Sequence, residues 1–349
     1  MESTPSNVNW RDFAKLKENG TNMLSSLQAV ACGADSVQYF QWRKSRGGPE
    51  KFHGAVIDHN GNSNTRVFSE VSKLGQKLLE IKNSFNSDIE SDIAIIFDCE
   101  NKWAMENAQG FGRENRAYQE ECLRHYKEIM RYGKNIDIID SEQDFSKYKI
   151  IIAPMLYMIK NNVSVNIKRF IENGGVFIAT YMLGYVNEND LCYLEGFPGG
   201  GLKDVFGICN EEIDALYPQQ KLKLSYKTKE YEAIDYVENI HNFDAETIAE
   251  FHNLFGNSSP AVTVKKVGKG KAYYIAFRDE NFLTDFYEEI LNDELLPYGI
   301  FHRTRKKEDK YYHFFQNYTD EVIEFDYNKN QKFHVLLDPK ETKVLSFDS

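Results

Sequence analysis

The sequence predicts an α/β protein, and three observations carry that prediction. Short apolar runs, "DIAIIFD", "NIDIID", "YKIIIAP" and "GVFIAT", are separated by longer amphipathic stretches. Runs of this kind between helices form a parallel sheet covered on both faces and joined by right-handed crossovers. A block of helix, strand and helix precedes them, and a train of short strands, "YYHFFQNY", "EVIEFDY", "KFHVLL" and "TKVLSF", closes the chain.

In order along the chain, residues 22–32 place apolar side chains at helical spacing and stop at Gly33, after which "DSVQYFQW" predicts an aromatic-rich strand. A second helix is expected over 67–84, where Val67, Val71, Leu74, Leu78, Leu79 and Ile81 fall largely along one stripe. Within the alternating block, helices are expected over 114–132 and 162–173, the latter closed by Gly174 and Gly175. The stretch "AVTVKKVGKGKAYYIAF" predicts a hairpin turning at Gly268, Lys269 and Gly270, followed by a helix near 280–292. Beyond residue 295, Tyr311, His313 and Phe315 alternate with Tyr312 and Phe314, as a half-buried antiparallel sheet requires. The pattern changes divide the chain into residues 1–86, 87–293 and 294–349.

With 349 residues, 42% of them hydrophobic, the chain is long enough for two or three domains with separate cores. A net charge of -11 disfavours a polyphosphate partner, and the basic pieces (Lys265, Lys266, Lys269, Lys271; Arg303, Arg305, Lys306, Lys307) are short, so no nucleic acid is expected. The five cysteines, Cys32, Cys99, Cys122, Cys192 and Cys209, are odd in number and widely spaced. They signal neither a disulfide framework nor a zinc cluster, which suits a reducing cytoplasm; no metal and no cofactor are expected. No apolar stretch approaches the roughly 20 residues that span a bilayer, so no membrane partner is expected either.

Read alone, Glu2 in "MESTPSNVNW" is first of all a solvated terminal acid. The segment "QYFQWRKSRGGPEKFHGAVIDHNG" gives it a second reading, because a strand there delivers Tyr39, Phe40, Trp42 and Arg43 to a loop carrying Glu50 and His53. Strand ends and the loops after them hold the active sites of α/β barrels. A polyol ligand needs an aromatic face and carboxylates for its hydroxyls, and Trp10, Glu50 and His53 are a set of that kind.

On these residues, on Met1, Glu2 and Pro5 ahead of "VNW", and on "GAD" at 33–35, the sequence resembles the beta-galactosidases of glycoside hydrolase family 42. The resemblance implies a partial (β/α)8 barrel remnant over 1–86. It also implies a class I glutamine amidotransferase-like (flavodoxin-like) parallel-sheet domain that mediates trimerisation over 87–293, then a small antiparallel β-domain over 294–349. It implies Glu2 as catalytic nucleophile, Trp10 as an aromatic substrate contact, and Glu50, Lys51, Phe52 and His53 as the loop that binds galactose hydroxyls. The implied partners are a galactoside and two further copies of the chain.

The activity implied is retaining glycoside hydrolysis, in which a second carboxylate protonates the leaving oxygen from about 5–5.5 Å away. The family's acid/base glutamate follows an asparagine on an earlier strand, and nothing ahead of Glu2 supplies it. "CENKW" and "NEND" pair Asn with Glu but are read as solvated turns. The expectation is therefore a truncated chain, inactive alone, needing an upstream barrel fragment in trans; the alternative is a non-catalytic oligomerisation or carbohydrate-binding scaffold. The amidotransferase-like block is expected to lack its nucleophile, since the turn after "GVFIAT" holds Tyr181, Met182, Leu183 and Gly184, and Cys192 reads as a small buried hydrophobe. The Gly-rich stretch 196–207 lacks the order of a phosphate loop and reads as a flexible surface or interface loop.

Overall fold

A computed structural model describes residues 2–112, 116–279, 281–328 and 332–348. It divides into two compact units, one made of Met1–Glu90, Gly133–Asn135 and Leu295–Ser349, the other of Ser91–Tyr132 and Ile136–Glu294.

The chain begins with β1 (Glu2–Ser3), α1 (Thr21–Ala31), β2 (Gln38–Tyr39) and α2 (Arg66–Glu80). Strands β1 and β2 pair in parallel, Glu2 opposite Gln38 and Ser3 opposite Tyr39, with α1 as the crossover between them. The strand expected over "DSVQYFQW" is only two residues long, because the backbone beyond it bonds to a later segment. The carbonyls of Gln41 and Trp42 accept from the N–H groups of Val56 and Ile57 at 2.9 and 2.7 Å, and Lys44 N–H donates to Ile57 O at 3.0 Å. Helix α2 starts where Thr65 caps it, its hydroxyl accepting from Phe68 N–H.

The second unit contains β3 (Ile93–Ile96), α3 (Cys99–Asn107), α4 (Tyr118–Met130), β4 (Asp137–Ile139), β5 (Ile150–Ala153), β6 (Met158–Ile159), α5 (Val163–Glu172), β7 (Val176–Thr180), β8 (Val186–Asn187) and α6 (Leu202–Phe206). It continues through β9 (Ile208–Ala215), β10 (Leu222–Tyr226), β11 (Lys229–Asn242), β12 (Glu246–Leu254), β13 (Asn257–Val267), β14 (Gly270–Ile275), β15 (Phe277–Asp279) and α7 (Phe282–Leu291). One sheet runs in the order β15, β11, β10, β12, β13, β14, β7, β5, β3, β4, with β9 on β11. Strands β14, β7, β5, β3 and β4 are parallel to one another, and the rest join antiparallel. This is the expected parallel sheet with a long antiparallel wing. The hairpin between β13 and β14 turns where predicted, Val267 opposite Gly270. Within the helix expected over 114–132, α4 forms over Tyr118–Met130, and residues 113–115 lie outside the described residues.

The chain closes with β16 (Ile300–Lys307), β17 (Lys310–Asn317), β18 (Ile323–Asn328), β19 (Lys332–Leu337) and β20 (Thr342–Asp348). Strands β16, β17 and β20 form one antiparallel sheet, and β18 pairs with β19. The half-buried pattern expected for β17 is not what forms, since Tyr312, His313, Phe314, Phe315, Gln316 and Asn317 are all buried. One face meets the β18–β19 hairpin, where Phe315 packs with Tyr327, Val335 and Leu337. On the other side Gln316 reaches α1, its amide donating to Leu24 O at 3.0 Å.

Candidate functional site

The candidate residues of the first unit lie on two segments that are bonded to each other. Beyond β1, the Asn7 carboxamide donates to Phe52 O at 3.3 Å and that of Asn9 to Pro49 O at 2.8 Å. Gly54 N–H donates to Asn7 O at 2.9 Å, and a Cβ at position 54 would stand 2.8 Å from Asn7 N, Asn7 O and Thr4 Oγ1. Only glycine allows that approach, because two of the three obstacles are backbone. The stretch after Glu2 and the loop holding Glu50, Lys51, Phe52 and His53 are thus held edge to edge.

Within this arrangement Glu2 occupies β1, but its side chain lies outside the described residues. Trp10 and Phe52 present their rings to solvent, at 70% and 63% exposure. Glu50 and Lys51 are exposed as well. His53 is buried against the Phe40 ring, centroids 5.2 Å apart, and its Nδ1 lies 3.0 Å from Gly54 O.

Sequence reasoning missed the polar group beneath β1 and β2. The Lys17 ammonium donates to Thr4 O at 2.6 Å and Asn22 Oδ1 at 3.3 Å, and burial lowers its pKa. The Asn22 amide donates to the Tyr39 hydroxyl at 2.9 Å, with Ser26 Oγ 3.3 Å from the same oxygen. The available signal was Asn22 and Ser26 at i and i+4 on the otherwise apolar face of α1.

In the second unit, strand order reverses between β3 and β5, and open α/β sheets bind ligands at the carboxyl end of such a reversal. The chain fills it. Asp98 accepts from Glu100 N–H and Asn101 N–H at 2.9 and 3.2 Å and from Ser141 Oγ at 2.5 Å, and pairs with Lys160 Nζ at 2.8 Å. Asn101 joins the following loop, donating to Met155 O at 3.0 Å and accepting from Met158 N–H at 2.8 Å. Met155, Tyr181 and Met182 are fully buried.

"CENKW" opens helix α3 under the Asp98 cap, so it is not the solvated turn expected from sequence. "NEND" is such a turn, Asn187 Oδ1 accepting from Asn189 and Leu191 N–H. Cys192 is exposed, correcting its reading as a buried hydrophobe; the buried thiol is that of Cys122. Within the Gly-rich stretch, Pro198 and Gly199 are buried and residues 202–206 are helical, so it is held in place rather than a flexible loop. Among the described residues no group of His, Cys, Asp and Glu is placed to hold a metal ion, and no helix is long and apolar enough to cross a membrane.

Comparison with known proteins gives this architecture its class. Residues 91–297 match the profile of the beta-galactosidase trimerisation domain, and residues 1–81 match that of the glycoside hydrolase family 42 beta-galactosidases. Beta-galactosidase Pbg of Clostridium perfringens is 45% identical over 92% of this chain and 49% of its own length; for BglY of Alicyclobacillus acidocaldarius the figures are 43%, 93% and 49%. The crystal structure of the beta-galactosidase from Rahnella sp. R3 superposes with a TM-score of 0.94 at 40% identity, covering all of this chain and 54% of that one. That of Gan42B, a GH42 beta-galactosidase, gives 0.92 at 37% identity with the same coverage. The chain belongs to glycoside hydrolase family 42. It spans about half the length of the curated relatives it matches.

Proposed function

We propose that this chain is the nucleophile-bearing part of a cytoplasmic retaining beta-galactosidase, hydrolysing terminal non-reducing β-D-galactosyl residues. Residues 1–86 are read as the end of a (β/α)8 barrel, 87–293 as an amidotransferase-like domain that assembles a homotrimer, and 294–349 as a closing β-domain. The observation that carries the reading is the set of hydrogen bonds tying residues 7–9 to the loop at 49–54. It sets the stretch following the Glu2 strand beside the loop that would bind sugar hydroxyls.

In this reading Glu2 attacks the anomeric carbon and forms a glycosyl-enzyme, which water then cleaves with the second carboxyl acting as base. The exposed Trp10 ring offers a face for the apolar side of the sugar, and Glu50, Lys51 and Phe52 edge the site. His53, being buried, shapes the loop through Phe40 and Gly54. The acid/base glutamate is supplied by an upstream part of the barrel that lies outside residues 1–349. General acid catalysis contributes typically about 10²–10⁴-fold, so residues 1–349 by themselves are expected to hydrolyse little.

The alternative, a non-catalytic scaffold, draws on the filled crevice of the second unit, where Asp98, Asn101 and Lys160 are engaged with the chain itself. Hydrolysis of a chromogenic β-galactoside decides between them, measured for the chain alone and mixed with the upstream half of a family-42 relative, each with Glu2→Gln as control. Activity that appears on mixing and vanishes in Glu2→Gln is the expected result. A stable complex without turnover favours the scaffold.

A further inference from the structure

Glu238 is fully buried in the middle of β11. Its Oε1 accepts from Met182 N–H and from the Tyr185 hydroxyl, each at 2.8 Å, and its Oε2 accepts from the Tyr274 hydroxyl at 2.5 Å. Asn210, from β9, donates in turn to the Tyr185 hydroxyl at 2.6 Å. The titratable groups facing the carboxyl are thus two phenols, Tyr185 from the loop after β7 and Tyr274 from β14, and among the described residues it forms no ion pair. An ionised carboxylate so deep without a cation is costly, and the cheaper state is the neutral acid.

The geometry accommodates that acid. As the neutral acid, Oε2–H donates to the Tyr274 hydroxyl, reversing that hydrogen bond, and Oε1 still accepts from both Met182 and Tyr185. Both of the latter belong to the turn after β7, and Met182 has a φ of 63° there. The Tyr185 ring stacks on Phe197, centroids 4.0 Å apart, and on Tyr157 at 5.8 Å. The main chain continues the attachment: Gly184 N–H donates to Leu156 O, Gly199 N–H to Gly184 O, and Tyr193 N–H to Tyr185 O.

We propose that Glu238 is a proton-operated latch: as the neutral acid it fastens the turn at 181–186 and the loop at 187–201 to the sheet, and ionisation loosens them. Burial raises its pKa from the ordinary carboxyl range to about 7. A group whose pKa is higher closed than open stabilises the closed form fully below the open-state value, and that stabilisation is lost as pH rises through the closed-state value. The working range is therefore from about 4.5 to about 7, with little further change above it. Closure strengthens in acid.

Amide hydrogen exchange of the purified chain tests this, comparing wild type with Glu238→Gln at pH 5.5 and 8.0. Protection factors of Gly184, Tyr193 and Gly199 are read as the ratio of variant to wild type, which cancels intrinsic exchange and other titrations. The expected result is a ratio that rises at least about tenfold from pH 5.5 to pH 8.0, since the amide mimics the neutral acid while the wild type loses its proton; one pKa unit corresponds to a factor of ten. A ratio equal at the two pH values, or a variant less protected at both, overturns the proposal. Should Glu238→Gln not fold, carbon-13-labelled glutamate carboxyls of the wild type are titrated instead. A resonance with a midpoint near neutrality upholds the latch, and none above about pH 6 overturns it.

Discussion

Arg305 shows what a single residue contributes to the first unit. Its guanidinium is completely buried, and Nη1 donates to the carbonyls of Val30 and Ala34 at 2.7 and 3.1 Å, closing the C-terminal end of α1. Nε donates to Ser87 Oγ at 2.7 Å and Nη2 to Asp35 Oδ1 at 2.7 Å and Ser87 O at 3.2 Å. A planar fork with five N–H groups serves these acceptors together; an ammonium with three rotating donors cannot. Arg305→Lys is expected to lower stability by about 2–4 kcal/mol, read from the urea midpoint at unchanged slope. A loss below about 0.5 kcal/mol would mean that the fork is dispensable. In the sequence this arginine belongs to one of the short basic pieces, "HRTRKK". Period two does place Arg303 and Arg305 on one face of a strand, but it says nothing of acceptors that lie far away along the chain. For the candidate site, the residue types of 39–61 pointed to sugar chemistry, whereas the close approach of Gly54 to Asn7 depends on backbone positions no residue type announces.

Among elements, the hairpin of β16 and β17 carries a titratable core. His302 Nδ1 is 2.9 Å from Gly133 O, which fixes it as the donor, so Nε2 accepts from His313 Nδ1 at 3.0 Å. His313 is otherwise ringed by Tyr327, Phe333 and Phe347, and burial lowers its pKa to about 4. Its depressed value means the unfolded chain binds the proton more readily, so stability is present above about pH 6.5 and is lost as pH falls toward about 4. The loss amounts to at most about 3 kcal/mol. His313→Asn, though less stable at neutral pH, is expected to flatten the pH slope of unfolding between 7 and 4.5; an unchanged slope would remove His313 as its source. The short buried strands β3, β5 and β7 were readable because both of their faces are covered, which leaves uninterrupted apolar runs. The antiparallel wing was not. In β11, "KEYEAIDYVENIHN", charged residues alternate with buried ones and the register slips between Ile234 and Val237, where Asp235 has a φ of 56°. A bulge of that kind breaks the period on which recognition of a strand depends.

At the scale of the whole chain, pattern change marked three stretches, and what it could not convey is that the first and the last belong to one compact unit. Contacts such as Gln316 to Leu24 O and Arg305 to Val30 O make that unit, and they join residues separated by most of the sequence. The two units carry buried titratable groups of opposite sense. His313 in the first is stabilising when neutral and is lost to acid, while Glu238 in the second is stabilising when protonated and is lost as pH rises. Lowering the pH from 7 to 5 should therefore weaken the unit built on β16–β20 through His313, while in the unit built on the parallel sheet the gain from Glu238 is opposed by the buried His125, whose pKa burial lowers. Differential scanning calorimetry at the two pH values is expected to show the transition of the first unit moving down further than that of the second. His313→Asn should reduce the downward shift of the first alone, and Glu238→Gln should turn the shift of the second alone further downward. The absolute midpoints also respond to the other ionisable groups, so each assignment rests on the difference between variant and wild type at matched pH. If both transitions move together in the wild type and neither variant alters the movement, buried protonation does not govern the stability of either unit.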